Sequence, residues 1–92
     1  MKHYYSTVDE VILAHSDMLI EDGGRRVYVR FERPAANGFD FAEGVLPESV
    51  FTKCYGFSED ELFDLADYLR ANALLIWDYA QKGGAGYAES AS

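Results

Sequence analysis

The chain has 92 residues, 49% of them apolar and 15% aromatic, with a formal charge of −8. That length holds one domain with one modest core, and so much apolar surface excludes an intrinsically disordered chain despite the charge. The single cysteine, Cys54, excludes an intramolecular disulfide framework and a multi-cysteine zinc site, and no apolar run nears the roughly 18–20 residues of a membrane helix.

Charge is unevenly placed: −4 over residues 1–22, +3 over 25–33, −2 over 34–58 and −5 over 59–92. Net acidity repels DNA, RNA and anionic lipid at long range, so neither direct nucleic-acid binding nor membrane association is expected. It leaves room for a basic protein partner. No charged-then-apolar leader opens the sequence, and the expected location is the cytoplasm. Six Phe, seven Tyr and one Trp are many rings for so small a core, so some are expected at the surface, where they suit an interface.

In chain order, the opening is ambiguous. Thr7 and Glu10 are spaced as a capping box with Val8, Val11 and Ile12 on one helical face, yet Val11-Ile12-Leu13 also makes a buried strand. A strand from about Val11 is favoured. The run MLIEDGGRRVYVRFE then reads as two strands joined at Asp22-Gly23-Gly24, residues that tolerate positive φ. In its second half Val27, Val29 and Phe31 alternate with Arg26, Tyr28, Arg30 and Glu32, giving one apolar and one wet face.

Residues 34–38, PAANG, predict a loop, and FDFAEGVL a strand with Phe39, Phe41 and Val45 in phase, ended by Pro47. A further strand is expected over Ser49–Tyr55. Ser58 and Glu61 form a second capping box, with Phe57 and Leu62 placed as a hydrophobic staple. The helix they start should run from Glu59 to about Lys82, where Gly83-Gly84 ends it. Residues 83–92 are small and polar apart from Tyr87 and are expected to be a flexible tail, leaving 1–82 as the single domain.

On that helix Leu62, Leu65, Ala66, Leu69, Ala73, Ile76 and Ala80 share one face, and Asp60, Asp64, Asp67 and Asp78 gather almost opposite. Glu59, Asp60 and Glu61 lie in the first turn, where the helix dipole favours negative charge. The aspartates therefore read first as a solvated helix face, with Arg70 placed to relieve Asp67, and second as an acidic patch that could imitate nucleic acid. Neither histidine nor a second carboxylate helix joins them, so no metal site is expected.

Arg26, Tyr28 and Arg30 form the outward side of the strip RRVYVRFER and are candidate interface residues, as are Tyr68 and Tyr79 on the helix. Trp77 is expected to seal the edge of the core. His3, His15, Cys54 and several serines supply nucleophile and base types without a recognised context, and the adjacent His15-Ser16-Asp17 is not how a triad is assembled. The glycines of KGGAG follow a helix, whereas phosphate loops precede one. No catalytic residue and no cofactor is expected.

These readings predict an α+β fold: an antiparallel meander of four or five strands against one long C-terminal helix. The expected function is that of a small acidic interaction module without catalytic activity, self-associating or docking on a protein. The alternative is an acidic inhibitor that mimics nucleic acid and blocks a basic nucleic-acid-binding protein.

Overall fold

A computed structural model describes residues 2–83; apart from Gly83, the tail expected over 83–92 lies outside them. The elements are β1 (Lys2–Val8), β2 (Val11–Ser16), β3 (Leu19–Glu21), β4 (Gly24–Ala35), β5 (Gly38–Leu46), β6 (Val50–Tyr55) and α1 (Glu59–Gln81). All strand pairs are antiparallel, in the order β1-β2-β4-β5-β6, and β3 also pairs with β4. The fold is α+β, one sheet against one C-terminal helix. Among the described residues no helix is long and apolar enough to cross a membrane.

Residues 7–15 contain no helix. Asp9 and Glu10 take positive φ (51° and 68°) and turn β1 directly into β2, so that Val8 pairs with Val11. The strand from Val11 is present, and β1 before it was not expected. The hairpin at Asp22-Gly23 is built the same way, with φ of 50° and 76°. The wet-and-apolar alternation of β4 holds: Val27, Val29 and Phe31 are buried.

The loop expected at residues 34–38 is a correction. β4 continues through Pro34 to Ala35, and β5 starts at Gly38, leaving Ala36-Asn37 as the turn. Proline is tolerated because Pro34 lies beyond the stretch of β4 that pairs with β2, so no ladder donor is missing on that side. In β5 the in-phase set Phe39, Phe41 and Val45 is not the buried one; Ala42, Gly44 and Leu46 are. Small residues are required there, because a Cβ on Gly44 would meet the Val50 carbonyl oxygen at 2.7 Å and the Phe51 ring at 3.1 Å.

Residues paired across antiparallel strands share a face. One face therefore carries Leu13, Phe31 and Ala42 in one row, His15, Val29 and Gly44 in the next, then Val27 and Leu46. Helix α1 lies over these rows through Leu69, Ile76 and Ala80, with Leu62, Leu65 and Ala73 half-buried beside them. Each buried leucine- or valine-sized side chain contributes about 1.5–3 kcal/mol. Helix length follows from its ends. Ser58 Oγ accepts the Glu61 N–H at 3.1 Å while the Glu61 carboxylate accepts the Ser58 N–H at 2.8 Å, and Gly83, at φ 78°, bonds back to the Ala80 carbonyl. Where β2 gives way to β3, the Met18 N–H donates to the same carbonyl at 3.3 Å and ties the helix end to the sheet.

Candidate functional site

The alternation that buries Val27, Val29 and Phe31 also places Arg33 on the helix side of the sheet. There its Nη1 and Nη2 donate to the two Glu61 carboxylate oxygens at 2.7 and 3.2 Å, and its Nε donates to Asp40 at 2.8 Å. The guanidinium also lies 4.3 Å from the centre of the Phe57 ring. Glu61 thus closes the capping box and anchors the helix start to β4 at once. The Arg33 hydrogen bond, and next the Ser58 N–H, hold its carboxyl down at about 2, and Glu61 and Asp40 in turn push the Arg33 value up.

Beside this anchor a cleft of about 290 Å³ opens between the first half of α1 and the β1–β2 hairpin. Val8, Val11, Leu13, Phe31, Phe57 and Leu65 give it an apolar lining. Ser6, Asp9, Arg33, Glu61, Asp64 and Tyr68 supply its polar groups, with the Tyr68 hydroxyl and Ser6 Oγ hydrogen-bonded at 2.8 Å. Arg33 and Glu61 are occupied with each other. Asp9 and Asp64 are not: among the described residues neither has an ion-pair partner, whereas Asp17, Glu32, Asp40, Glu43, Glu48, Glu61, Asp67 and Asp78 all do. The chemistry of such a trough, apolar walls beside two unneutralised carboxylates, is that of a cationic side chain's complement. Its lining contains neither imidazole nor thiol.

The candidate interface residues fall into two groups on opposite faces. Arg26, Tyr28 and Arg30 occupy the uncovered face of the sheet, each with a partner there. Arg26 pairs with Glu48 at 3.2 Å, Tyr28 donates to Glu21, and Arg30 pairs with Glu43 and Glu32 while lying 4.4 Å over the Phe41 ring. The Glu21 hydrogen bond pushes the Tyr28 phenol up. Tyr68 and Tyr79 are instead half-buried on the helix side, Tyr68 edge-on to Phe31 and Tyr79 against Tyr5. Trp77 is half-buried against the core.

The aspartate strip is partly neutralised. Asp67 pairs with Arg70, and Asp78 with Lys82 at 3.1 Å. Asp60 is exposed on the outer helix face, and Asp64 turns to the cleft. Asp9 and Arg33 were not singled out in the sequence. Arg33 was legible there, two residues beyond Phe31 on the buried phase of β4; Asp9 was not, because its place depends on the β1–β2 turn.

His15 is fully buried, its Nδ1–H donating to the Ser16 carbonyl at 2.8 Å and its Nε2 without a hydrogen-bond partner among the described residues. Burial pushes its pKa down, with the Ser16 bond opposing and His3 adding to the shift. His3, not His15, bonds Asp17, at 2.6 Å, and Ser16 Oγ donates to the Asp17 carbonyl. The three adjacent residues thus form no relay. Cys54 is exposed on β6.

Comparison of the chain with known protein families, with curated proteins and with solved structures finds no match.

Proposed function

We propose that this protein is a small cytoplasmic interaction module without catalytic activity, and that its cleft receives a cationic side chain of a basic protein partner. The observation that carries this reading is the pair of unneutralised carboxylates, Asp9 and Asp64, at an apolar trough of about 290 Å³. A trough of that size lies at the small end of ligand pockets and suits an arginine or lysine, whose apolar stem packs while the charged head stays at the rim. The acidic surface would also speed encounter with a basic partner.

The test is an NMR titration with N-acetyl-arginine amide and its uncharged citrulline counterpart. Amide shifts should gather at Val8–Val11, Leu65 and Tyr68 for the arginine compound. The combined Asp9→Asn and Asp64→Asn substitutions should weaken binding by about five- to tenfold, as expected for two partly exposed charge contacts. Equal binding of the citrulline compound, or shifts elsewhere on the molecule, would sink the proposal.

The alternative, an acidic nucleic-acid mimic, draws less support. DNA presents one charge per ~1.7 Å of axis, whereas Asp67 and Asp78 are each neutralised by a neighbour on the helix.

A further inference from the structure

Three large apolar side chains of α1 lie outside the core, Phe63 and Leu74 on one strip and Leu75 apart from them. Phe63 is 65% exposed and Leu74 is 87% exposed. They belong to a regular series: Asp60, Phe63, Asp67, Arg70, Leu74 and Trp77 follow one another at alternating steps of three and four residues. That alternation is the seam of a coiled coil, and it runs along the helix outside the core-facing side except at its last member, Trp77, which is half-buried at the edge of the core.

We propose that α1 pairs with α1 of a second copy as a short antiparallel coiled coil along this seam. In an antiparallel pair each a position faces a d position of the partner. Placing the two-fold axis between Asp67 and Arg70 makes the central layers complementary. Asp67 of one copy meets Arg70 of the other, and the reverse, so the intrahelical pair already present becomes part of a ring of two aspartates and two arginines. On either side of that ring Phe63 meets Leu74. At the ends Asp60, which has no ion pair among the described residues, meets Trp77, whose indole N–H makes no hydrogen bond among them.

No other choice of axis on this seam pairs both Asp67 with Arg70 and Phe63 with Leu74. A parallel arrangement would set Asp67 against Asp67 and Arg70 against Arg70. The seam spans about 26 Å at 1.5 Å per residue, with two apolar layers, so the dimer belongs among weak, concentration-dependent associations. This surface is separate from the cleft, and either proposal can fail without the other.

Sedimentation equilibrium on the full chain tests the pairing with charge reversals. The parent should approach twice the 10.3 kDa of one chain as its concentration rises. Asp67→Arg alone and Arg70→Asp alone should each stay monomeric, because each places like charges across the axis. An equimolar mixture of those two variants should recover the dimer, since the first then meets the second with opposite charges. Both positions are exposed, and an unchanged circular dichroism spectrum confirms that each variant is folded. A parent still monomeric at roughly 1 mM, where even a millimolar dimer would show, would overturn the proposal. So would reversal variants that dimerise like the parent, or a mixture that stays monomeric.

Discussion

His15 sits where burial disfavours a charge. Its ring is buried on the helix side of β2, one nitrogen is spent on the Ser16 carbonyl, and the other meets no partner among the described residues. The groups facing it are His3, 5.4 Å away between ring centres, and Asp17, which His3 occupies. Burial holds its folded pKa below the free value of ~6.5. The unfolded chain therefore takes up a proton on this ring at higher pH than the folded one, and stability rises with pH through that window. The contribution is complete above about pH 6.5 and is lost progressively as pH falls towards the lower folded value. We expect the urea midpoint to fall between pH 7 and pH 5, and a His15→Phe variant to show a flatter profile over that range. An equally steep profile in the variant would assign the effect to other groups. Nothing in the sequence marks this histidine as buried except its position, two residues after Leu13 on the same strand phase.

At the scale of the element, α1 was the most legible part of the chain, because its start is written in local chemistry. Ser58 and Glu61 exchange hydrogen bonds across the first turn, and Phe57 and Leu62 pack beside them against the core. Ser58→Ala should destabilise the fold by about 1 kcal/mol, the usual cost of losing an N-cap acceptor. Chemical denaturation measures it, and a change below a few tenths would mean that Arg33 alone holds the helix start. The strands were less legible where tertiary context decides. The β1–β2 turn uses Asp9-Glu10 in the left-handed region without the glycine or asparagine that usually marks such turns. In β5 the larger residues Phe39, Phe41 and Val45 face away from the helix, because Ala42 and Gly44 are what the crowded interior admits. The cleft fell in the same blind spot: Asp9 and Asp64 lie far apart in sequence, and only the unmarked hairpin brings them together.

At the scale of the whole molecule, the described residues form a slab of about 36 × 34 × 22 Å, one sheet with a helix on one side. Its uncovered side shows how one layer manages its rings: Arg30 lies over Phe41, and Phe41 stacks with Tyr55, ring centres 6.4 Å apart. Surface aromatics were rightly expected, though here much of their area is answered within the chain. Charge acts at this scale too. At 0.01 M salt the screening length is ~30 Å, comparable to the molecule, so the net charge of −8 repels itself across the entire fold. At 0.15 M it is ~8 Å, which suppresses long-range repulsion while sparing ion pairs at contact distance. Stability should therefore rise between those salt concentrations, by ~4–8 °C in Tm for each kcal/mol recovered. A melting temperature that falls instead would show that the contact pairs outweigh the net charge.

The order of the elements along the chain has a consequence for how the protein is made. The sheet is completed at Tyr55, and the helix that covers it is the last described element. At ~5–20 residues per second, synthesis of the helix takes roughly one to five seconds. During that interval Leu13, Val29, Phe31 and Leu46 belong to strands already synthesised, while the side chains that cover them are still being added one by one. A chain cut short within α1 and released would carry those strand residues without their helical cover, which is the form that chaperones and quality-control proteases are built to seize.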